Sequence, residues 1–150
     1  MLFSTVRVLV VDDYAPWVQF VSAALAAKPQ ITIVGEAHDG LTAIQKVVQL
    51  KPDVVVLDIG LPDMDGIQVA RRILELAPTI QILFLTEHTA PEIVNSALLT
   101  GAQGYVVKSF AARELLPALD ALLLGCYFVS AAAATTRLDD IPVFRRLSDA

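Results

Sequence analysis

The sequence is poor in the features that mark several protein classes. It contains one cysteine, Cys126, so no disulfide can form within the chain. Its 11 basic residues are outnumbered by 16 acidic ones, and no Lys/Arg run appears, which argues against nucleic acid or an anionic membrane as a direct partner. No apolar run reaches the ~18 residues needed to cross a bilayer, and the start lacks a secretory leader pattern. We therefore expect a soluble, cytoplasmic protein.

Short, nearly unbroken apolar segments alternate with stretches that have apolar residues at helical spacing. Continuous apolar runs are typical of strands buried on both faces of a sheet. Five alternations predict an α/β fold, a five-stranded parallel sheet with helices on both faces, because parallel neighbours need crossover helices. The predicted strands are Val6–Val11, Ile31–Val34, Asp53–Leu57, Gln81–Leu85 and Gly104–Val107.

Helix ends are indicated by local signals. Pro16 and Pro91 lie where a first helical turn would begin, and proline is favoured there. Asp39 and Ser109 are predicted N-caps, since their short polar side chains can accept a hydrogen bond from a free backbone N–H.

The alternation ends near Gly125 and divides the chain into a predicted domain, residues 1–125, and a C-terminal extension or start of a linker, residues 126–150. Apolar residues in the extension predict a short helix that docks on the domain. These residues are Ile141, Val143, Phe144 and Leu147.

Polar side chains follow four of the predicted strands at their carboxyl ends, where the functional crevice of such a sheet lies. They are Asp12, Asp13, Asp58, Thr86 and Lys108. Three carboxylates brought together repel one another and favour a hard divalent cation, with Mg²⁺ as the best fit. A carboxylate nucleophile, a metal, a lysine and a hydroxyl donor are the groups that phosphoryl transfer needs. The pattern therefore predicts a phosphoryl-accepting site.

Four motifs carry a resemblance to a known family. VLVVDD, DVVVLDIGLPDMDG, ILFLT and GYVVK, spread over about residues 5–125, resemble the response-regulator receiver domain, which has a CheY-like, flavodoxin-like (βα)5 fold. The resemblance implies that Asp58 is the phosphoacceptor and that Asp12, Asp13, Asp58 and the backbone carbonyl of Gly60 bind Mg²⁺. It further implies that Thr86 senses the phosphate, Lys108 pairs with it, and Tyr105 changes rotamer as Thr86 moves.

The same resemblance implies a function in two-component signal transduction. The phosphoryl donor would be a sensor histidine kinase, and phosphorylation would switch the conformation to control an output. A homodimer through helix 4, strand 5 and helix 5 is one expected consequence. Glu87 departs from the family pattern, which generally has a small residue directly after the switch threonine. Glu87 either modulates access to Asp58 or simply points to solvent from a strand-end loop.

Alternative functions remain at this point. A Mg²⁺-dependent aspartyl-phosphate phosphohydrolase would want an acid two residues after its nucleophile, and that position is Gly60. A nucleotide-binding domain would need a glycine-rich loop after strand 1, which is absent. The end of the domain resembles NarL-type receivers, so the chain is either a single-domain regulator or a receiver without its helix-turn-helix domain.

Overall fold

The structure is a computed structural model that describes residues 5–133. It contains six strands, β1 to β6, and five helices, α1 to α5, in strict alternation up to α5. The strands are Val6–Val11, Ile31–Ala37, Val54–Leu57, Gln81–Thr86, Gly104–Val107 and Phe128–Val129. The helices are Ala15–Ala26, Gly40–Leu50, Gly66–Leu76, Pro91–Leu99 and Ala111–Leu123. None of these helices is long and apolar enough to cross a membrane.

All six strands form one parallel sheet in the order β2-β1-β3-β4-β5-β6. The order reverses direction between β1 and β3, so the helices cover both faces, as the sequence predicts. The five predicted strands form the core of the sheet, and a short sixth strand that was not predicted, β6, adds to the edge of β5. A strand of two residues has no periodic pattern, and only its neighbour in space reveals it.

The core consists of two apolar clusters, one on each face of the sheet. In β1, Leu9 and Val11 point into one cluster, while Val8 and Val10 point into the other. Successive side chains of a strand point to opposite faces, so a strand covered on both sides must be apolar throughout. This explains the continuous apolar runs of the sequence.

The helix starts agree with the predicted signals at three of four positions. Pro16 and Pro91 lie in the first turns of α1 and α4, and the Asp39 carboxylate accepts a 2.7 Å hydrogen bond from the Thr42 N–H. The prediction for Ser109 is wrong. A 3₁₀ turn over residues 108–110 precedes α5, so Phe110 occupies the N-cap position.

The first part of the predicted extension packs against the sheet. β6 pairs with β5, and the Ser130 N–H donates to the Tyr105 carbonyl at 2.7 Å. The fully buried Ser130 hydroxyl donates to the Glu114 carboxylate at 2.6 Å and accepts from the Val107 N–H at 3.3 Å. Ser130 thereby joins α5, β5 and β6. The helix predicted around residues 141–147 lies outside the described residues.

We expect Ser130→Ala to lower the free energy of unfolding by about 1–3 kcal/mol, because it leaves a carboxylate and an N–H without their partner. Urea unfolding followed by circular dichroism measures this. Ser22→Ala is the matched control, since the buried Ser22 hydroxyl has no hydrogen-bond partner among the described residues and its loss should be close to neutral. Equal losses in both variants would contradict the role of Ser130.

Candidate functional site

The carboxyl ends of the four central strands surround a cleft of about 440 Å³. Because the strands are parallel, the residues that follow them meet at one edge of the sheet. Asp12 and Asp13 follow β1, Asp58 follows β3, Thr86 ends β4 and Lys108 follows β5. The cleft is lined by Asp13, Tyr14, Trp17, Asp58, Gly60, Thr86, Glu87, His88 and Lys108. The structure therefore brings together the side chains that the sequence analysis singled out at strand ends.

The carboxylates of Asp12, Asp13 and Asp58 form a cluster whose nearest oxygens lie within 4.8 Å of one another. Asp12 and Asp58 are buried, whereas Asp13 is exposed at the rim. Oxygen ligands of this charge and spacing suit a hard divalent cation, and an exposed rim leaves room for the waters that Mg²⁺ retains. The residues thus fit Mg²⁺ by their chemistry. Gly60 lines the same cleft.

The ammonium of Lys108 lies between two of these carboxylates. Its Nζ is 2.8 Å from Asp12 Oδ2 and 3.1 Å from Asp58 Oδ2, and only 7% of the lysine surface is exposed. Burial lowers the pKa of Lys108, but the hydrogen bond to Asp12 and the charges of Asp58 and Asp12 outweigh burial, so its pKa is raised. Burial raises the pKa of Asp12 despite hydrogen bonds from Lys108 and Tyr14. Lys108 is therefore a protonated side chain that two carboxylates hold in place.

The loop after β3 is fixed against the neighbouring helices. The Asp65 side chain caps α3 by accepting from the Ile67 N–H at 2.8 Å. At Gly66, an added Cβ would lie 2.1 Å from the Asp58 carbonyl oxygen, so only glycine permits this close approach. The Asp63 carboxylate accepts from the N–H groups of Gly40 and Leu41, at 2.7 and 2.9 Å.

The Asp63 contacts lower the pKa of that carboxyl and attach the loop to α2. The sequence analysis did not single out Asp63. A short acidic side chain in this loop was visible in the sequence, but its partners are far along the chain. The loop is thus held on both sides, which fixes the position of Asp58.

Thr86 and Tyr105 both contact residue 88. The buried Thr86 hydroxyl accepts from the His88 N–H at 3.4 Å, and the Tyr105 hydroxyl donates to the His88 carbonyl at 2.8 Å. Tyr105 is fully buried, so its ring points inward. Burial, with the Asp58 charge in second place, raises the pKa of Tyr105 well above its usual range. The phenol therefore stays protonated and able to donate.

Glu87 lies between Thr86 and His88, is exposed, and lines the same cleft as Asp58. Because it directly follows the last residue of β4, Glu87 lies at the mouth of the cleft. No hydrogen bond or ion pair within residues 5–133 holds its side chain.

The sequence analysis also did not single out Trp17, which lines the cleft beside Lys108. The Lys108 ammonium lies 5.0 Å from the centroid of the Trp17 ring, within the range of a cation–π contact. The ring meets Phe20 edge to face, with 5.4 Å between centroids and 80° between planes. Its position in the first turn after the Asp12-Asp13 pair was the available signal, because that turn must lie beside the end of β1.

Comparisons with known proteins agree with this arrangement. A family model described as the response regulator receiver domain matches residues 8–120. The DNA-binding transcriptional activator DevR/DosR of Mycobacterium tuberculosis is 40% identical over 114 residues, which cover 76% of this chain and 52% of that protein. A protein-glutamate methylesterase/protein-glutamine glutaminase of Thermotoga maritima is 38% identical over 121 residues, covering 76% and 35% respectively. The chain thus spans about half, or less, of the length of these relatives.

Two solved structures resemble the fold closely. A two-component response regulator of the LuxR family from Aurantimonas has a TM-score of 0.83 at 30% identity, covering 96% of this chain and 99% of that one. The isolated REC domain of RcsB from Salmonella enterica, with phosphomimetic BeF3⁻, has a TM-score of 0.83 at 26% identity, covering 87% and 97%.

We expect Mg²⁺ to stabilise the folded protein by about 1.4 kcal/mol at ten times its Kd, because it relieves repulsion in the carboxylate cluster. Thermal unfolding with and without Mg²⁺ measures the effect. Asp13→Asn should remove most of it, since this exposed residue contributes a ligand charge at little cost to the fold. Glu75→Gln removes an exposed acid outside the cleft and should keep the full shift. A shift retained in Asp13→Asn would exclude this cluster as the site.

Proposed function

The chain belongs to the response regulator receiver domain family, and on this premise we propose that Asp58 is the residue that accepts the phosphoryl group. The observation that carries the proposal is the placement of a buried Asp58 beside two further carboxylates and 3.1 Å from the Lys108 ammonium. A carboxylate nucleophile with cations around it is what phosphoryl transfer requires, because the reaction depends on positioning and charge neutralisation.

The proposed chemistry uses groups already in place. One carboxylate oxygen of Asp58 attacks the phosphorus atom, and the bond from phosphorus to the donor breaks with its electron pair leaving on the donor. Asp12, Asp13, Asp58 and the Gly60 carbonyl would hold Mg²⁺, which neutralises charge on the incoming phosphoryl oxygens. Lys108 exchanges its contact with Asp58 for one with a phosphoryl oxygen. A sensor histidine kinase is the proposed donor, and the cytoplasm the proposed compartment.

We propose that the switch runs through residues 86–88. Thr86 is at the end of β4, where its hydroxyl can turn toward a phosphoryl oxygen on Asp58. Its present contact is with the His88 N–H, and the His88 carbonyl in turn holds the Tyr105 hydroxyl. A movement of Thr86 toward the phosphate would therefore disturb the contact that keeps Tyr105 inward.

The chemistry favours a regulator over an enzyme that turns over free substrates. Gly60, two residues after Asp58, offers no acid to a leaving group, as a phosphohydrolase would need. The Thermotoga methylesterase matches this chain over only 35% of its length, so that relative lends no methylesterase activity. Glycine at position 60 supports a site that holds its phosphoryl group.

The output is proposed to act through protein contacts. The net charge of −5 disfavours DNA as a direct partner of this chain, although DevR/DosR is named as DNA-binding and is about twice as long as the matched segment. A receiver of a longer, NarL-type regulator therefore remains the alternative. A homodimer through α4, β5 and α5 would also involve β6, because β6 covers the edge of β5.

Asp58→Asn should abolish stable labelling by acetyl phosphate and Mg²⁺, because an amide is a far poorer nucleophile than a carboxylate. Intact-protein mass spectrometry measures the labelled fraction, and chelation of Mg²⁺ should abolish labelling of the unaltered protein as well. Glu36→Gln, which removes an exposed acid at the far edge of the sheet on β2, should label normally. Unchanged labelling of Asp58→Asn would refute the assignment.

We expect Glu87→Ala to raise the rate of labelling by acetyl phosphate several-fold, on the order of the tenfold that ~1.4 kcal/mol of barrier represents. The exposed carboxylate at the cleft mouth repels the donor dianion and obstructs its approach. Autodephosphorylation should quicken too, because water enters by the same route. Glu87→Gln separates charge from bulk: a gain equal to that of alanine assigns the effect to charge. Rates within a factor of about two in both variants would show that Glu87 does not control access.

A further inference from the structure

Within residues 5–133, the Lys108 ammonium has two carboxylate partners and lies over one aromatic ring. The carboxylates of Asp12 and Asp58 are also proposed ligands of the divalent ion, so the ion and the ammonium compete for the same oxygens. The Trp17 ring is outside this competition. Its face attracts a cation through the ring quadrupole, and neither an anionic phosphoryl group nor a carboxylate can take that place.

The ring itself is firmly placed. Pro16 precedes Trp17 in the first turn of α1, and the backbone N–H of Trp17 donates to the Tyr14 carbonyl at 3.0 Å. The edge-to-face contact with Phe20 fixes the plane of the indole, and the ring packs on the apolar cluster beneath α1 and α5. A half-buried indole held on several sides changes its orientation little when charges in the cleft change.

Trp17 also lines the cleft together with Asp58, Thr86 and Lys108, so it is within the space that a phosphoryl group on Asp58 would enter. An aliphatic side chain could fill the same volume against the apolar cluster. It would remove water from the ammonium without offering the attraction that offsets this loss. The contact therefore requires an aromatic ring.

We infer that Trp17 is a positioning residue for Lys108, which keeps the ammonium at the cleft when its carboxylate partners are taken by the divalent ion. The inference rests on the proposed function, because it concerns how Lys108 reaches the phosphoryl group on Asp58. The position of Lys108 after ion binding is thereby set by a neutral ring.

The test is binding of beryllium trifluoride, a phosphoryl mimic, at saturating Mg²⁺ by isothermal titration calorimetry. Trp17→Leu should weaken binding about three- to tenfold, and Trp17→Phe, which keeps a weaker ring face, should weaken it less. In a Lys108→Ala background, Trp17→Leu should add less than about twofold, because the contact that it removes is already absent. A purely structural role of Trp17 would give the same loss in both backgrounds.

A second readout follows the contact itself. The ring current of Trp17 should shift the Lys108 methylene protons upfield in NMR spectra, and the shift should persist with Mg²⁺ and the mimic bound. Trp17→Phe should keep a smaller shift.

The inference would be overturned by unchanged mimic binding in Trp17→Leu, by an equal loss in the Lys108→Ala background, or by a Lys108 signal without upfield shift in the unaltered protein. Failure of the unaltered protein itself to bind the mimic would instead overturn the proposed function.

Discussion

The ion pairs that Lys108 makes with Asp12 and Asp58 are the contacts on which the site depends. Both carboxylates are buried, and together with Asp13 they would repel one another without a cation between them. Lys108 supplies that cation in the structure. A divalent ion would bind many of the same oxygens, so occupation of the site by Mg²⁺ requires Lys108 to give up part of its pairing. The lysine would then have an unpaired positive charge beside Asp58, where a phosphoryl oxygen would arrive. If Asp58 is the phosphoacceptor, this one exchange of partners would keep the carboxylate charges neutralised and release Lys108 for a phosphoryl oxygen.

This exchange requires Asp12 and Asp58 to stay in place while the Lys108 side chain moves. The sheet holds them. β1, β3 and β4 are buried neighbours, so the backbone before Asp12, Asp58 and Thr86 is fixed by hydrogen bonds on both sides. The Gly66 N–H donates to the Ile59 carbonyl at 2.8 Å, which holds the loop after β3 against the end of that strand. The flexible component is the long side chain of Lys108, which follows β5. The change of partners by Lys108 therefore needs only rotation about the bonds of its own side chain.

The sheet, the helices and the strand-end residues could be predicted from the sequence because each has a local pattern. Buried parallel strands are apolar without interruption, and the residues that end them must meet at one edge.

What could not be predicted depends on contacts between distant parts of the chain. β6 is two residues long and is a strand only because the edge of β5 lies beside it. The cap predicted at Ser109 is wrong because a 3₁₀ turn over residues 108–110 moves the start of α5. The role of Trp17 could not be predicted, since nothing along the chain indicates which cation lies over its ring.

The position of β6 has a consequence for the way a change at Asp58 could leave the site. Tyr105 is bonded at two points: its hydroxyl to the His88 carbonyl, on the side of the cleft, and its backbone carbonyl to the Ser130 N–H, on the side of β6. Ser130 is bonded in turn to Glu114 of α5.

If Thr86 moves toward a phosphoryl group, the His88 carbonyl moves with it, and Tyr105 must lose or remake its hydroxyl contact. The side chain of Tyr105 lies in the cluster that also contains Val129 and Ala133, so a change of its rotamer alters the packing beneath β6. In a receiver whose β5 edge is free, such a change would alter an open surface. Here a rotamer change of Tyr105 would instead reach β6, which pairs with β5.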